Sequence, residues 1–156
     1  MKQINQYINE YIIKKKLDKP IDSSGYKYHP QTKQELINNI DELLKLNIHD
    51  FNCIDTSAIT DMSKLFSNKI IDFNDIDVSG WDVSIVEKMD NMFNCCFKFD
   101  CDLSNWNISN VEFMERMFYN CKKFKVDCLE NWKITTKVSK RNIFYGIKNT
   151  PSWYKK

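Results

Sequence analysis

The strongest constraint on the fold is an internal repeat of about 25 residues. The stretch DVSGWDVSIVEKMDNMFNCC at residues 77–96 returns at residues 102–121 as DLSNWNISNVEFMERMFYNC, with ten of the twenty positions identical. Less complete copies begin at Asp55 and at Leu129. The repeated phenylalanines are spaced by 27, 25 and 26 residues; they are Phe66, Phe93, Phe118 and Phe144. Such a period is typical of stacked repeats, because one unit alone cannot bury its apolar face.

The second part of each copy predicts a helix. It reads Ser-x-Val-x-x-Met-x-x-Met-Phe, and its apolar side chains fall on one stripe at a helical period. Ser84 with Glu87, and Ser109 with Glu112, have the spacing of a capping box. We therefore expect a helix of about two to three turns in each unit, starting after its serine or threonine.

The first part of each copy is short and predicts an extended segment. Brief strands are expected around Val78, Leu103 and Cys128, each paired with its copies in neighbouring units. A strand followed by a helix at this period is the leucine-rich-repeat kind of unit, although the L-x-x-L-x-L-x-x-N signature is absent. The predicted fold class is therefore α/β, a short leucine-rich-repeat-like solenoid with parallel strands on one face, helices on the other and a helical N-terminal cap.

The two ends of the chain predict caps on this stack. Residues 1–24 are interpreted as an N-terminal helix, at residues 4–17, and a connector. Residues 25–50 are interpreted as a capping unit, with a strand at 26–28 and an amphipathic helix after Thr32. About four units follow over residues 51–148, and residues 149–156 form a C-terminal cap in which Trp153 and Tyr154 cover the last unit.

Composition and charge indicate one globular domain with a strong dipole. Of the 156 residues, 42% are hydrophobic and 28% charged. Residues 50–120 carry a net charge of −8 and residues 121–156 a net charge of +8, which also allows head-to-tail self-association. No apolar run is long enough for a signal peptide or a membrane span, so we expect a cytoplasmic location with six reduced cysteines.

The repeat pattern D-x-S-x-W-(D/N)-x-S-x-V-x-x-M-x-x-M-F resembles that of the BspA-type leucine-rich-repeat surface-protein family. The lead-in YKYHPQTKQELINNI and the ending TPSWYKK are similar to the segments that flank such repeats, so the resemblance covers about residues 25–156. It implies a repeat fold and a role in binding proteins. It also implies a surface or secreted location, which stays open beside the cytoplasmic one.

Two sets of repeated positions are candidates for partner binding. Phe113 lies opposite the apolar stripe, where the preceding unit has Lys88, and it is expected to be exposed as a contact anchor. The recurring tryptophans form either an aromatic ladder for a ligand or covers for their own turns, and the architectural reading is favoured; they are Trp81, Trp106 and Trp132. The methionines in phase with the phenylalanines are predicted to be core; they are Met62, Met89, Met92, Met114 and Met117.

The sequence contains no recognisable catalytic motif. No P-loop, G-x-G-x-x-G or H-E-x-x-H appears, and His29 and His49 neighbour no plausible nucleophile. We predict no cofactor and no metal site. The predicted function is a non-enzymatic protein–protein interaction module. The alternative is a nucleic-acid-associated protein using its basic C-terminal face, with Lys133, Lys137, Lys140 and Arg141.

Overall fold

The repeats are built from turns rather than from helices and strands. A computed structural model describes residues 22–67, 76–135 and 137–154, so the predicted helix at residues 4–17 lies outside the described residues. Within those ranges there are one α-helix, α1 (Lys33–Lys45), one 3-10 helix (Val126–Leu129) and no β-strand. The predicted α/β leucine-rich-repeat-like solenoid is therefore wrong, because both its row of helices and its parallel strands are missing from the described repeats.

Helix α1 is present where the sequence predicts it. The Thr32 hydroxyl accepts a hydrogen bond from the Glu35 amide at 3.2 Å, and the Glu35 carboxylate accepts one from the Gln31 amide at 2.7 Å. The apolar face of α1 enters the core, with Leu36 and Ile40 fully buried. The strand predicted at residues 26–28 is absent; Tyr28 forms a single parallel bridge with Ile54.

Consecutive β-turns replace the predicted repeat helices. The Met92 amide donates to the Met89 carbonyl at 3.2 Å, and the Cys96 amide donates to the Phe93 carbonyl at 3.0 Å. The same two bonds recur in the next copy. Each joins residues three apart, as in a β-turn. An apolar residue at every third position suits such turns as well as it suits a helix, so the periodicity alone misled the helical interpretation.

Left-handed residues prevent these turns from continuing into a helix. In each copy, the third residue of the first turn has a positive φ; these residues are Lys64 (58°), Asn91 (55°), Arg116 (54°) and Asn142 (57°). A positive φ at the third residue is the arrangement of type II turns. For a residue other than glycine it costs roughly 1–2 kcal/mol. Contacts between copies must therefore stabilise this backbone.

Over the consecutive turns, neighbouring copies stack through a row of backbone hydrogen bonds in which each copy donates to the next. The amides of Met89, Asn91 and Phe93 donate at 2.7–2.9 Å to carbonyls of the next copy, those of Phe113, Glu115 and Met117. The copies before and after repeat this pattern. We call each such copy a layer, with the stacked segments 62–66, 89–95, 114–120 and 140–146. Single parallel bridges join the residues that precede these segments; they are Asp61, Lys88, Phe113 and Ser139.

The core is a column of phenylalanines with methionines beside it. The rings of Phe66 and Phe93 stack at 5.4 Å, those of Phe93 and Phe118 at 5.7 Å, and those of Phe118 and Phe144 at 5.9 Å. Ring pairs of this kind add about 0.5–1.5 kcal/mol each beyond their area burial. The methionines predicted to be core are confirmed as fully buried; they are Met62, Met89, Met92, Met114 and Met117.

The tryptophans connect each layer to the preceding one. The indole N–H groups donate at 2.7–3.1 Å to backbone carbonyls of the previous layer; the pairs are Trp81 with Phe51, Trp106 with Val78, Trp132 with Leu103, and Trp153 with Leu129. Trp153 and Tyr154 also cover the Phe144 ring, at centroid distances of 5.7 and 5.2 Å. The expectation that these two residues close over the last unit is confirmed.

Replacing Trp106 with Phe should destabilise the stack by about 2 kcal/mol. The change removes the indole hydrogen bond to Val78 and leaves a smaller ring in a site that is 4% exposed. Urea unfolding measures the loss as a lower midpoint at an unchanged slope. Lys137→Ala, at an exposed position, is the control and should stay within about 0.5 kcal/mol of the wild type.

Arg116→Gly should be more stable than Arg116→Ala by about 1 kcal/mol. Both changes remove the same side chain, but only glycine adopts a φ of 54° without strain. The larger entropy of glycine in the unfolded chain offsets part of this gain. Thermal unfolding of the two variants side by side measures the difference. Equal stabilities would contradict the left-handed turn.

Candidate functional site

The candidate site is a surface column with one residue from each layer. We call it the bridge face, and its residues are Asp61, Lys88, Phe113 and Ser139. The residues that follow the first three are methionines with no exposed surface, so successive side chains alternate between core and surface. Phe113 is 41% exposed, which confirms the exposure predicted for it, although it forms β-bridges with Lys88 and Ser139 and does not lie on a helix.

The inner and outer positions of this column follow different rules. The inward residue is methionine in three of the four layers, at positions 62, 89 and 114. The outward residue is acidic, basic, aromatic and then hydroxylic along the same column. The stack therefore constrains the inner side chain by packing and leaves the chemistry of the outer one unconstrained.

Ion pairs lie at both ends of the bridge face. At one end, the Lys33 ammonium lies 3.0 Å from the Asp61 carboxylate and 2.7 Å from the Ser63 hydroxyl. Burial by itself raises the pKa of Asp61, but the hydrogen bonds from Ser63 and Lys33 lower the pKa below its usual value. At the other end, the Glu115 carboxylate accepts a bond from Ser139 at 2.6 Å and lies 3.3 Å from Arg141. These contacts lower the pKa of Glu115.

Asp90 lies between these pairs and has no cation of its own among the described residues. Its carboxylate accepts the Glu115 amide at 2.8 Å. Burial raises the pKa of Asp90, and the negative charges of Glu115 and Asp61 raise it further. Asp90 is therefore the acidic group beside the bridge face whose ionised form is disfavoured.

The other residues predicted for binding are placed differently. Trp81, Trp106 and Trp132 are only 4–5% exposed and their indole groups are bonded to backbone, which leaves them little surface for a partner. Among the predicted basic residues, Lys133, Lys137 and Arg141 are exposed and Lys140 is half-buried. Arg141 is already paired with Glu115, and Lys140 and Arg141 follow the bridge residue Ser139 directly.

Two of the buried cysteines contribute to the stacking of layers. All six are free thiols. The Cys96 thiol donates to the Phe66 carbonyl at 3.4 Å, and the equivalent Cys121 thiol donates to the Phe93 carbonyl at 2.9 Å. Burial raises the pKa of both thiols, and it raises the pKa of Cys101 to about 11. In the described ranges, no group of three His, Cys, Asp or Glu side chains could hold a metal ion.

Sequence reasoning missed two features of the surface. The Tyr119 and Tyr145 rings stack at 4.6 Å beside a groove of about 520 Å³ that Arg116 also lines. A second cavity, of about 490 Å³, lies at the end of the stack, with Lys148 among its lining residues. The tyrosine pair could have been predicted from the sequence, because the two tyrosines occupy equivalent positions of adjacent copies. The cavity could not, because it depends on how the chain continues after the last layer.

Asp90→Asn should stabilise the protein at neutral pH, whereas Asp102→Asn should destabilise it. The folded-state pKa of Asp90 is raised, so its ionisation opposes folding and stability is lost as the pH rises through that pKa. The pKa of Asp102 is lowered by the Ser104 amide, so its charge supports folding above the unfolded pKa and that support is lost in acid. Urea unfolding from acid to neutral pH measures the free energy of unfolding of each variant relative to the wild type. As the pH rises, Asp90→Asn should become more stable than the wild type and Asp102→Asn less stable.

Comparison with known proteins identifies the family of the chain but gives no activity. Within the described residues, no helix is long and apolar enough to cross a membrane. No curated protein and no solved structure matches the chain. A family model described as "Mycoplasma protein of unknown function, DUF285" matches residues 34–154, and no BspA-type or leucine-rich-repeat family matches, so the resemblance to BspA-type surface proteins is wrong. The chain belongs to the DUF285 family.

Proposed function

We propose that this protein is a non-catalytic protein-binding module and that its contact surface is the bridge face centred on Phe113. The observation that carries the proposal is the column itself, in which the outward residue changes from layer to layer over a repeated core. An exposed aromatic ring lies in it, next to Lys88 in the preceding layer. A central aromatic anchor with a polar rim is the usual composition of a protein-binding surface.

The rigidity of the layers favours this role. Both backbone groups of Phe113 are bonded to the preceding layer, because its amide donates to the Glu87 carbonyl at 3.1 Å and its carbonyl accepts from the Met89 amide at 2.7 Å. A side chain on such a backbone loses little conformational freedom when a partner binds. The face is therefore preorganised, and its affinity depends on the side chains that it presents.

The state of the polar groups supports a non-catalytic protein in a reducing compartment. The buried thiols have raised pKa values, and a thiol is a poor nucleophile when its thiolate is disfavoured. Several aspartates accept backbone amides of their own turns, as Asp77 does from Ser79 and Asp102 from Ser104. The six free thiols support the cytoplasmic location that we propose together with this function.

The second candidate function is association with nucleic acid through the basic end of the chain. Residues 121–156 contain ten basic and two acidic residues. Lys122, Lys125 and Lys148 line one small groove of about 180 Å³, and the Lys122 ammonium lies 5.7 Å from the centre of the exposed Phe97 ring. Lysines with an aromatic ring beside them suit a phosphate backbone with stacked bases. Head-to-tail association of two copies would use the same basic end against the acidic middle of the chain.

Phe113→Ser should abolish retention of a protein partner without unfolding the stack. The expected loss is at least tenfold in affinity, because exposed aromatic anchors contribute about 2 kcal/mol or more at interfaces. The measurement is a pull-down from a lysate of the source organism at physiological and at high salt, followed by titration of the purified partner. Phe97→Ser is the matched control, since Phe97 is 51% exposed and lies outside the bridge face.

The salt dependence separates the two candidate functions. A protein that is retained at high salt, lost with Phe113→Ser and kept with Phe97→Ser would support the bridge face. Nucleic acid that washes off as salt rises would instead support the basic end, since counterion release makes such binding strongly salt-dependent. Equal loss of the protein partner with both variants would contradict the proposed surface.

A further inference from the structure

The last layer has a row of backbone amides that find no acceptor among the described residues. In the layer before it, the alternate amides of Arg116, Phe118 and Asn120 donate to carbonyls of the last layer at 2.7–3.1 Å. The equivalent amides of the last layer, which we call the end amides, are those of Asn142, Phe144 and Gly146. None of the three donates to an acceptor among the described residues. Phe144 is only 3% exposed, so its unpaired amide is costly.

The end amides point toward an open cavity. In each inner layer the equivalent amides point at the following layer, so in the last layer they point out of the C-terminal end of the stack. A cavity of about 490 Å³ lies there, and the three residues of the end amides line it together with Lys148 and Tyr154. This volume lies within the range of small-molecule sites. Trp153 and Tyr154 cover the Phe144 ring but leave this cavity beside it.

The charge around the cavity is positive. Among the described residues that line it, Lys148 is the charged one and none is acidic. Glu130, one of the two acidic residues of the C-terminal segment, is already bonded to the Ser152 amide and hydroxyl. Unpaired backbone N–H groups that face one cavity favour an anion, and an ammonium group beside them strengthens its binding. The positive φ values of Asn142 and Gly146 match those of Arg116 and Asn120, so the last layer keeps the turn geometry of the layer before it.

We propose that this cavity binds an oxyanion, a phosphate or a carboxylate, through the three end amides and the Lys148 ammonium. In the inner layers, the equivalent amides are occupied by carbonyl oxygens of the next layer, and the oxyanion takes the place of those oxygens. Carboxylate and phosphate share the required chemistry, which is several oxygen acceptors with negative charge. The site lies at the end of the stack and is independent of the bridge face and of its proposed function.

Isotope-labelled full-length protein, titrated with inorganic phosphate and observed by amide NMR, tests this site. Acetate forms a second arm, and chloride at matched ionic strength is the reference. We expect the amide resonances of Asn142, Phe144 and Gly146 to shift together and to saturate. The bonded amides of Arg116, Phe118 and Asn120 should not follow them. Lys148→Ala should weaken binding about tenfold, because it removes one charge-assisted bond.

Lys123→Ala is the matched control, since Lys123 is an exposed lysine outside the cavity lining. It should bind as the wild type does, and the remaining resonances of both variants should match those of the wild type. Saturable shifts with phosphate, with acetate or with both would support the oxyanion site and would identify its ligand. End amides that stay unmoved, or that move equally with chloride, would overturn it. Equal weakening by Lys123→Ala would also overturn it, since general charge would then explain the binding.

Discussion

The fold depends on two sets of backbone hydrogen bonds that run in different directions. Within a layer, turns join residues three apart, as Met92 does with Met89. Between layers, alternate amides donate to the carbonyls of the next layer, as Met89 does to Phe113. In the described repeats, the two sets pair the buried backbone of the inner layers, as a helix or a sheet would do elsewhere. A chain of turns could not otherwise be buried, because its unpaired amides and carbonyls would cost more than its side chains gain.

Side chains stabilise the same stack at two further levels. The phenylalanine column places one ring in each layer, with neighbouring rings nearly parallel, so every added layer extends the same apolar contact. The tryptophan indoles and the Cys96 and Cys121 thiols donate to carbonyls of the preceding layer. The side chains that repeat from layer to layer therefore stabilise the stack. The side chains that could recognise a partner are the outward ones, which differ between layers.

The stack is also directional, which makes its two ends chemically different. Its first layer is approached by α1, whose Lys33 bonds to Asp61 and Ser63. Its last layer presents amides and the basic C-terminal segment. The candidate site likewise depends on the order of the layers, because each layer contributes one residue to the bridge face. The exposure of Phe113 was predictable from its break in the repeat, whereas the acidic pair of Asp90 and Glu115 required the spatial alignment of two copies.

The sequence by itself determined the repeat period, the buried methionines and phenylalanines, the capped helix α1 and the covering role of Trp153. Each follows from a local pattern, namely spacing, apolarity or the capping pair of Thr32 and Glu35. Only the tertiary structure decided that the repeats are turns. The Met89–Met92 spacing fits a helix and a turn equally well, and the left-handed φ of Asn91 persists because its amide is bonded to Glu115 of the next layer. That bond joins residues far apart in the chain, so no local pattern contains it.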